Sequence, residues 1–124
     1  KFFFQNLRKK NIDLIRLISP TTDPKRLKQM LASSSGYLYY VSLKGITGAK
    51  LKNFAEVKNK VKSIKKLTNL PVVVGFGIKD AKTAKKMAAF SDGVVVGTKI
   101  IDFIEKKSIK KISNFTKLLK KAIN

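Results

Sequence analysis

Two short apolar runs, each closed by glycine, decide what this chain can fold into. Residues 70–78 read LPVVVGFGI, and further on residues 93–98 read GVVVGT. Three successive valines leave no polar alternation, so such a strand belongs in a parallel sheet covered on both faces. Pro71 opens the first run and Gly75-Phe76-Gly77 ends it, while Gly97 ends the second just before a helical pattern. Glycines at strand ends leave backbone N–H groups open to close approach by a ligand. A helix starting behind them adds a partial positive pole. The pair therefore predicts an alternating βα architecture with a phosphate-binding character at its strand ends.

The rest of the chain falls into step with that pair. Residues 1–10 read as the end of an amphipathic helix with Phe3, Phe4 and Leu7 on one face, and residues 12–18 (IDLIRLI) as a first strand. Asp23 followed by Pro24 is a helix start, and Leu27, Met30 and Leu31 supply that helix with an apolar stripe. Residues 37–42 (YLYYVS) form a second strand rich in aromatic and β-branched side chains. Phe54, Val57, Val61, Ile64 and Leu67 then recur at helical spacing over residues 51–67. Asp80 is placed to cap a helix carrying Ala81, Ala84, Met87 and Ala88. A short helix over 98–104 precedes a last one over 108–123, with Ile109, Ile112, Phe115, Leu119 and Ile123 on one side. Four βα units with short connections mean a parallel sheet with right-handed crossovers. No linker divides residues 1–124, which read as one domain unit.

Composition removes several functions. Cysteine and histidine are both absent, which excludes thiolate chemistry and the commonest catalytic base and metal ligand. No metal site and no cofactor is expected. No apolar run approaches the roughly 20 residues of a spanning helix, so no membrane role is expected. The net charge of +21 points first to nucleic acid. Yet only Arg8, Arg16 and Arg26 are arginines, and the lysines are spread over every helix opposite its apolar stripe. That pattern is one of solvated helix faces, and a nucleic-acid module remains the alternative from another class. The opening at Lys1, in mid-helix, reads as a fragment.

At this point four motifs in order carry a resemblance: residues 37–42 (YLYYVS), 45–49 (GITGA), 70–78 (LPVVVGFGI) and 92–97 (DGVVVG). Together with residues 17–22 (LISPTT) they resemble the α subunit of tryptophan synthase over essentially the whole chain. The resemblance implies the C-terminal half of a TIM (β/α)8 barrel, strands five to eight, since a whole barrel needs roughly 250 residues. It further implies a cytoplasmic lyase of tryptophan biosynthesis. That enzyme cleaves indole-3-glycerol phosphate to indole and glyceraldehyde 3-phosphate, and works with a β subunit in an α2β2 complex. The family's catalytic Glu and Asp lie upstream of this chain, so no catalytic residue is assigned and the fragment is expected to be inactive alone. Another phosphate-binding barrel enzyme, similar to indole-glycerol-phosphate synthase, is the nearer alternative.

Residue by residue, the resemblance implies that Gly48, Gly77, Gly97 and Thr98 hold the substrate phosphate. Tyr39 and Phe76, and more loosely Leu17 and Val95, match indole-pocket positions; Leu17 and Val95 serve equally as barrel-core packing. Thr47 corresponds to the family residue that closes over the site. Gly45, in the same loop, lies where the family meets the β subunit, and reads equally as a plain loop glycine. Two positions depart from the family pattern. Thr98 stands for the usual Ser and keeps its hydroxyl, and Lys79 stands for a capping Ser whose role Asp80 is expected to take.

Overall fold

The computed structural model describes residues 2–42, 52–75 and 77–124. In chain order these form α1 (Phe2–Lys9), β1 (Arg16–Ile18), α2 (Pro24–Ser33), β2 (Leu38–Val41) and α3 (Lys52–Lys65). Then follow β3 (Val72–Gly75), α4 (Ala81–Ala88), β4 (Gly93–Val95), α5 (Thr98–Glu105) and α6 (Ile109–Ile123). The strands form one parallel four-stranded sheet in the order β1-β2-β3-β4, each paired with its sequence neighbour. This is the expected half of a TIM barrel, every strand followed by a helix.

Strand parity gives the sheet two unequal faces. Ile18, Leu38, Tyr40, Val72 and Val74 point to the helices and are buried, together with Leu27, Val57, Val61, Ile64, Ala84 and Met87 from the helical layer. At ~1.5–3 kcal/mol for each large side chain taken from water, this layer is the main stabilising contact. The other face carries two rows across the strands. Leu17, Tyr39, Val73 and Gly93 make the first row, and Val41, Gly75 and Val95 the second. That face is only half covered, and Leu17 is 63% exposed.

The helix starts obey their sequence signals. Asp23 accepts from Arg26 N at 2.9 Å, and Asp80 accepts from Thr83 N at 2.7 Å, so Asp80 does take the capping role at Lys79's side. Asp92 ties the lower end of the sheet. One carboxylate oxygen accepts from Lys65 Nζ at 2.6 Å and the other from Val72 N at 2.8 Å, while Asp92 N donates to Val72 O. Desolvation raises the Asp92 pKa, but the Lys65 ammonium and the Val72 N–H outweigh it and hold the carboxyl below its ordinary value.

Two expectations are corrected. The first strand is shorter than residues 12–18, because Leu14 N donates to Ser35 Oγ and Leu14 O accepts from Ser35 N, which binds that stretch to the end of α2. Phe3, Leu67, Ile109 and Ile123 are expected on packed stripes but are exposed, each at or next to the end of a helix where no described element covers it. Tyr40 is wholly buried with its hydroxyl unpartnered among the described residues. Burial, helped by Glu56, pushes its pKa up to about 12.

Candidate functional site

The candidate site lies where the strands end and the next helices begin. Gly77 sits two residues beyond β3 with φ +75°, a left-handed conformation that favours glycine. Its glycine identity therefore has a backbone reason. Gly97, two residues beyond β4, has none. Its φ is −114°, and a Cβ built there would meet no described atom within 4 Å. Among the described residues, neither backbone nor packing asks for glycine at 97.

Gly97 is also the N-cap of α5, and no side chain caps that helix. Ile100 N and Ile101 N both donate to Gly97 O. The Thr98 and Lys99 N–H groups belong to the first turn, where a helix supplies no acceptor. Gly97 and Thr98 are both exposed. No acid stands in this first turn, so the helix's positive pole is uncompensated. Lys99 adds a cation, its ammonium lying 5.1 Å from the centroid of Phe103. An exposed helix start with free donors, a bare glycine and a lysine is suited to a small dianion.

The residues expected to flank an aromatic ring fall on the open sheet face. Tyr39 is half-buried in the first row, Val95 lies in the second, and Leu17 lies beside Tyr39 on the outermost strand. Gly45, Thr47, Gly48 and Phe76 lie outside the described residues. The structure thus brings Leu17, Tyr39 and Val95 onto one face and Gly77, Gly97 and Thr98 to the strand ends above it. Among the described residues no group of three acidic, histidine or cysteine side chains could hold a metal ion.

One residue has a different role from the one the sequence indicates. Gly75 reads as a ligand-facing glycine, yet the Tyr39 phenol occupies the place where a Gly75 Cβ would stand, closest at its hydroxyl. Gly75 is glycine so that Tyr39 can lie across β3. Parity and the observed register account for it: Val73 pairs with Tyr39, and Gly75 is the next inner-face residue along the same strand.

A parallel half-barrel in which every strand is followed by a helix defines the class as that of α/β-barrel proteins. Comparison with known proteins narrows the class. The sequence model for the tryptophan synthase alpha chain matches residues 1–124. The chain belongs to that family. Tryptophan synthase subunit alpha from Legionella pneumophila is 32% identical, with a TM-score of 0.82 over 99% of this chain and 47% of that one. A protein from Aquifex aeolicus is 29% identical, with a TM-score of 0.84 over 98% of this chain and 45% of its own. Tryptophan synthase from M. tuberculosis, in an aminoacrylate-bound form, has the same fold at 22% identity and a TM-score of 0.84. The chain spans a little under half the length of these structures.

Proposed function

We propose that this chain is the substrate-holding half of a tryptophan synthase α subunit, a lyase that cleaves indole-3-glycerol phosphate to indole and glyceraldehyde 3-phosphate. Gly97 carries the reading: a glycine that neither its backbone nor any described neighbour requires, at an uncapped helix start, is accounted for by a ligand that must come close. The phosphate accepts from the first-turn N–H groups at Thr98 and Lys99, and the Thr98 hydroxyl adds a donor. Gly77 lets the adjoining β3–α4 turn approach the same anion, and Gly48 completes the cradle from its loop. Tyr39, Leu17 and Val95, with Phe76, offer flat apolar surface to the indole ring.

Family membership supplies the remainder of the reading. The acid and base are a Glu and an Asp of the other barrel half, so these 124 residues alone turn over no substrate. The loop with Gly45 and Thr47 closes the site and faces a β subunit in an α2β2 complex that takes up the indole, in the cytoplasm. The test is Gly97→Val in the complete enzyme, measured by steady-state kinetics and by phosphate inhibition. KM for indole-3-glycerol phosphate rises and inorganic phosphate ceases to compete. A folded variant with unchanged KM would move the phosphate elsewhere.

A further inference from the structure

Arg16 is a partly buried cation with no ion-pair partner among the described residues. It opens β1 on the helix-facing side, in register with Leu38. Its guanidinium lies 4.8 Å from the Phe4 ring centroid and donates through one NH2 to Ser33 Oγ at 3.1 Å. Its Nε is buried with no hydrogen-bond partner among the described residues. The one ion pair among those residues is Lys65–Asp92. Arg16 and Arg26, two of the chain's three arginines, line one cavity of about 220 Å³ with Gln29 and Met30. Arg26 and Met30 also line an adjoining cavity of about 200 Å³ with Leu17, Ser19 and Asp23. Asp23 there uses a carboxylate oxygen on Arg26 N.

The two cavities form one groove along the unpaired edge of β1. Leu17 is on the open sheet face and Met30 is in the helical layer, and they meet in one cavity because it passes around that edge. The chain direction says what runs there. Helix α1 precedes β1 and packs Phe4 against it, which is the second half of a β–α–β crossover. Such a crossover places the strand before its helix parallel and next to the strand after it. The chain spans 45–47% of the Aquifex and Legionella structures it matches, so their fold has length for that strand.

We propose that the strand completing the barrel beside β1 carries an Asp or Glu on its helix-facing side, seated in the groove between Arg16 and Arg26. A carboxylate there gives the half-buried Arg16 guanidinium a counter-charge and offsets two clustered cations, whereas an apolar side chain would leave that guanidinium without one. The inference rests on the half-barrel fold and not on the activity. The occupant is thus a strand of the complementary half, rather than a free anion.

The test is a double-mutant cycle in the complete barrel, read by denaturant unfolding. Arg16→Met is combined in turn with Asn or Gln in place of each Asp or Glu of the strand preceding α1. Expected is one acid whose effect on the folding constant is coupled to Arg16 by roughly tenfold, beyond the separate losses of packing and of the Ser33 bond. Arg16→Lys retains part of that coupling. A strand without any acid, or acids that all combine additively with Arg16→Met, would overturn the proposal. So would stabilisation by inorganic phosphate that Arg16→Met abolishes, since a free anion would then be the occupant. Loss of activity with the coupling intact bears on the function and leaves this pairing standing.

Discussion

Helices α4 and α5 follow adjacent strands, have eight residues each and begin in opposite ways. Asp80 closes the start of α4 with its own carboxylate, and Gly97 leaves the start of α5 open. The closed end settles its donors inside the chain and contributes to stability. The open end keeps its donors for something else and gives up the stabilisation a cap supplies, about 1 kcal/mol. Neighbouring turns on one scaffold thus differ: one uses its donors on the fold, and the other leaves them for the phosphate proposed above.

The largest expected effect comes from giving α5 what α4 has. Gly97→Asp supplies a cap and a negative charge where the proposed phosphate sits. KM for indole-3-glycerol phosphate in the complete enzyme should rise by tenfold or more, equivalent to about 1.4 kcal/mol or more of binding. The unfolding midpoint should hold or rise. A Gly97→Asp enzyme with normal KM would make the open end an accident of sequence. The converse change, Asp80→Ala, should cost about 1 kcal/mol of stability by denaturant unfolding while leaving KM near wild type.

The same carboxylate also predicts a pH dependence. The Thr83 N–H holds the Asp80 pKa below its ordinary value despite some desolvation. A depressed carboxyl contributes its stability above the unfolded pKa and loses it as pH falls through the folded one. The gap between wild type and Asp80→Ala should therefore be full at neutral pH and close in acid. A gap that widened in acid would contradict the assignment. The smallest effect belongs to Thr98→Ser, which keeps the hydroxyl donor; KM should change by less than about twofold, within the range of a minor contact.

Much of this division could be read from the chain. The Asp-Pro start of α2, the Asp80 cap and the valine runs of β3 and β4 follow from local chemistry, and local chemistry is what a sequence states directly. The half-barrel and the family followed from ordered motifs. What could not be read depended on contacts across strands. Tyr39 and Gly75 lie far apart in sequence, and only register puts the phenol over the glycine. Arg16 reads as one basic residue among many until the sheet places it on an edge beside Phe4 and Ser33. The exposed Ile109 shows the limit of periodicity: helical spacing marks a face, and only packing decides how far along the helix that face is covered.

The Asp92 clasp has a consequence for the order in which the sheet assembles. Val72 and Asp92 are 20 residues apart, as are Val73 and Gly93 across the same pair of strands, whereas Leu38 meets Val72 over 34. Loop-closure entropy separates those two events by only about 0.5 kcal/mol, so topology alone barely chooses between them. Asp92 tips the choice, because its carboxylate and its N–H both engage Val72 as soon as β3 and β4 meet. β3–β4 then closes ahead of β2–β3, whereas β1–β2, whose partners Arg16 and Leu38 are 22 residues apart, pairs separately. Asp92→Asn should slow folding more than it hastens unfolding, giving a φ-value near one.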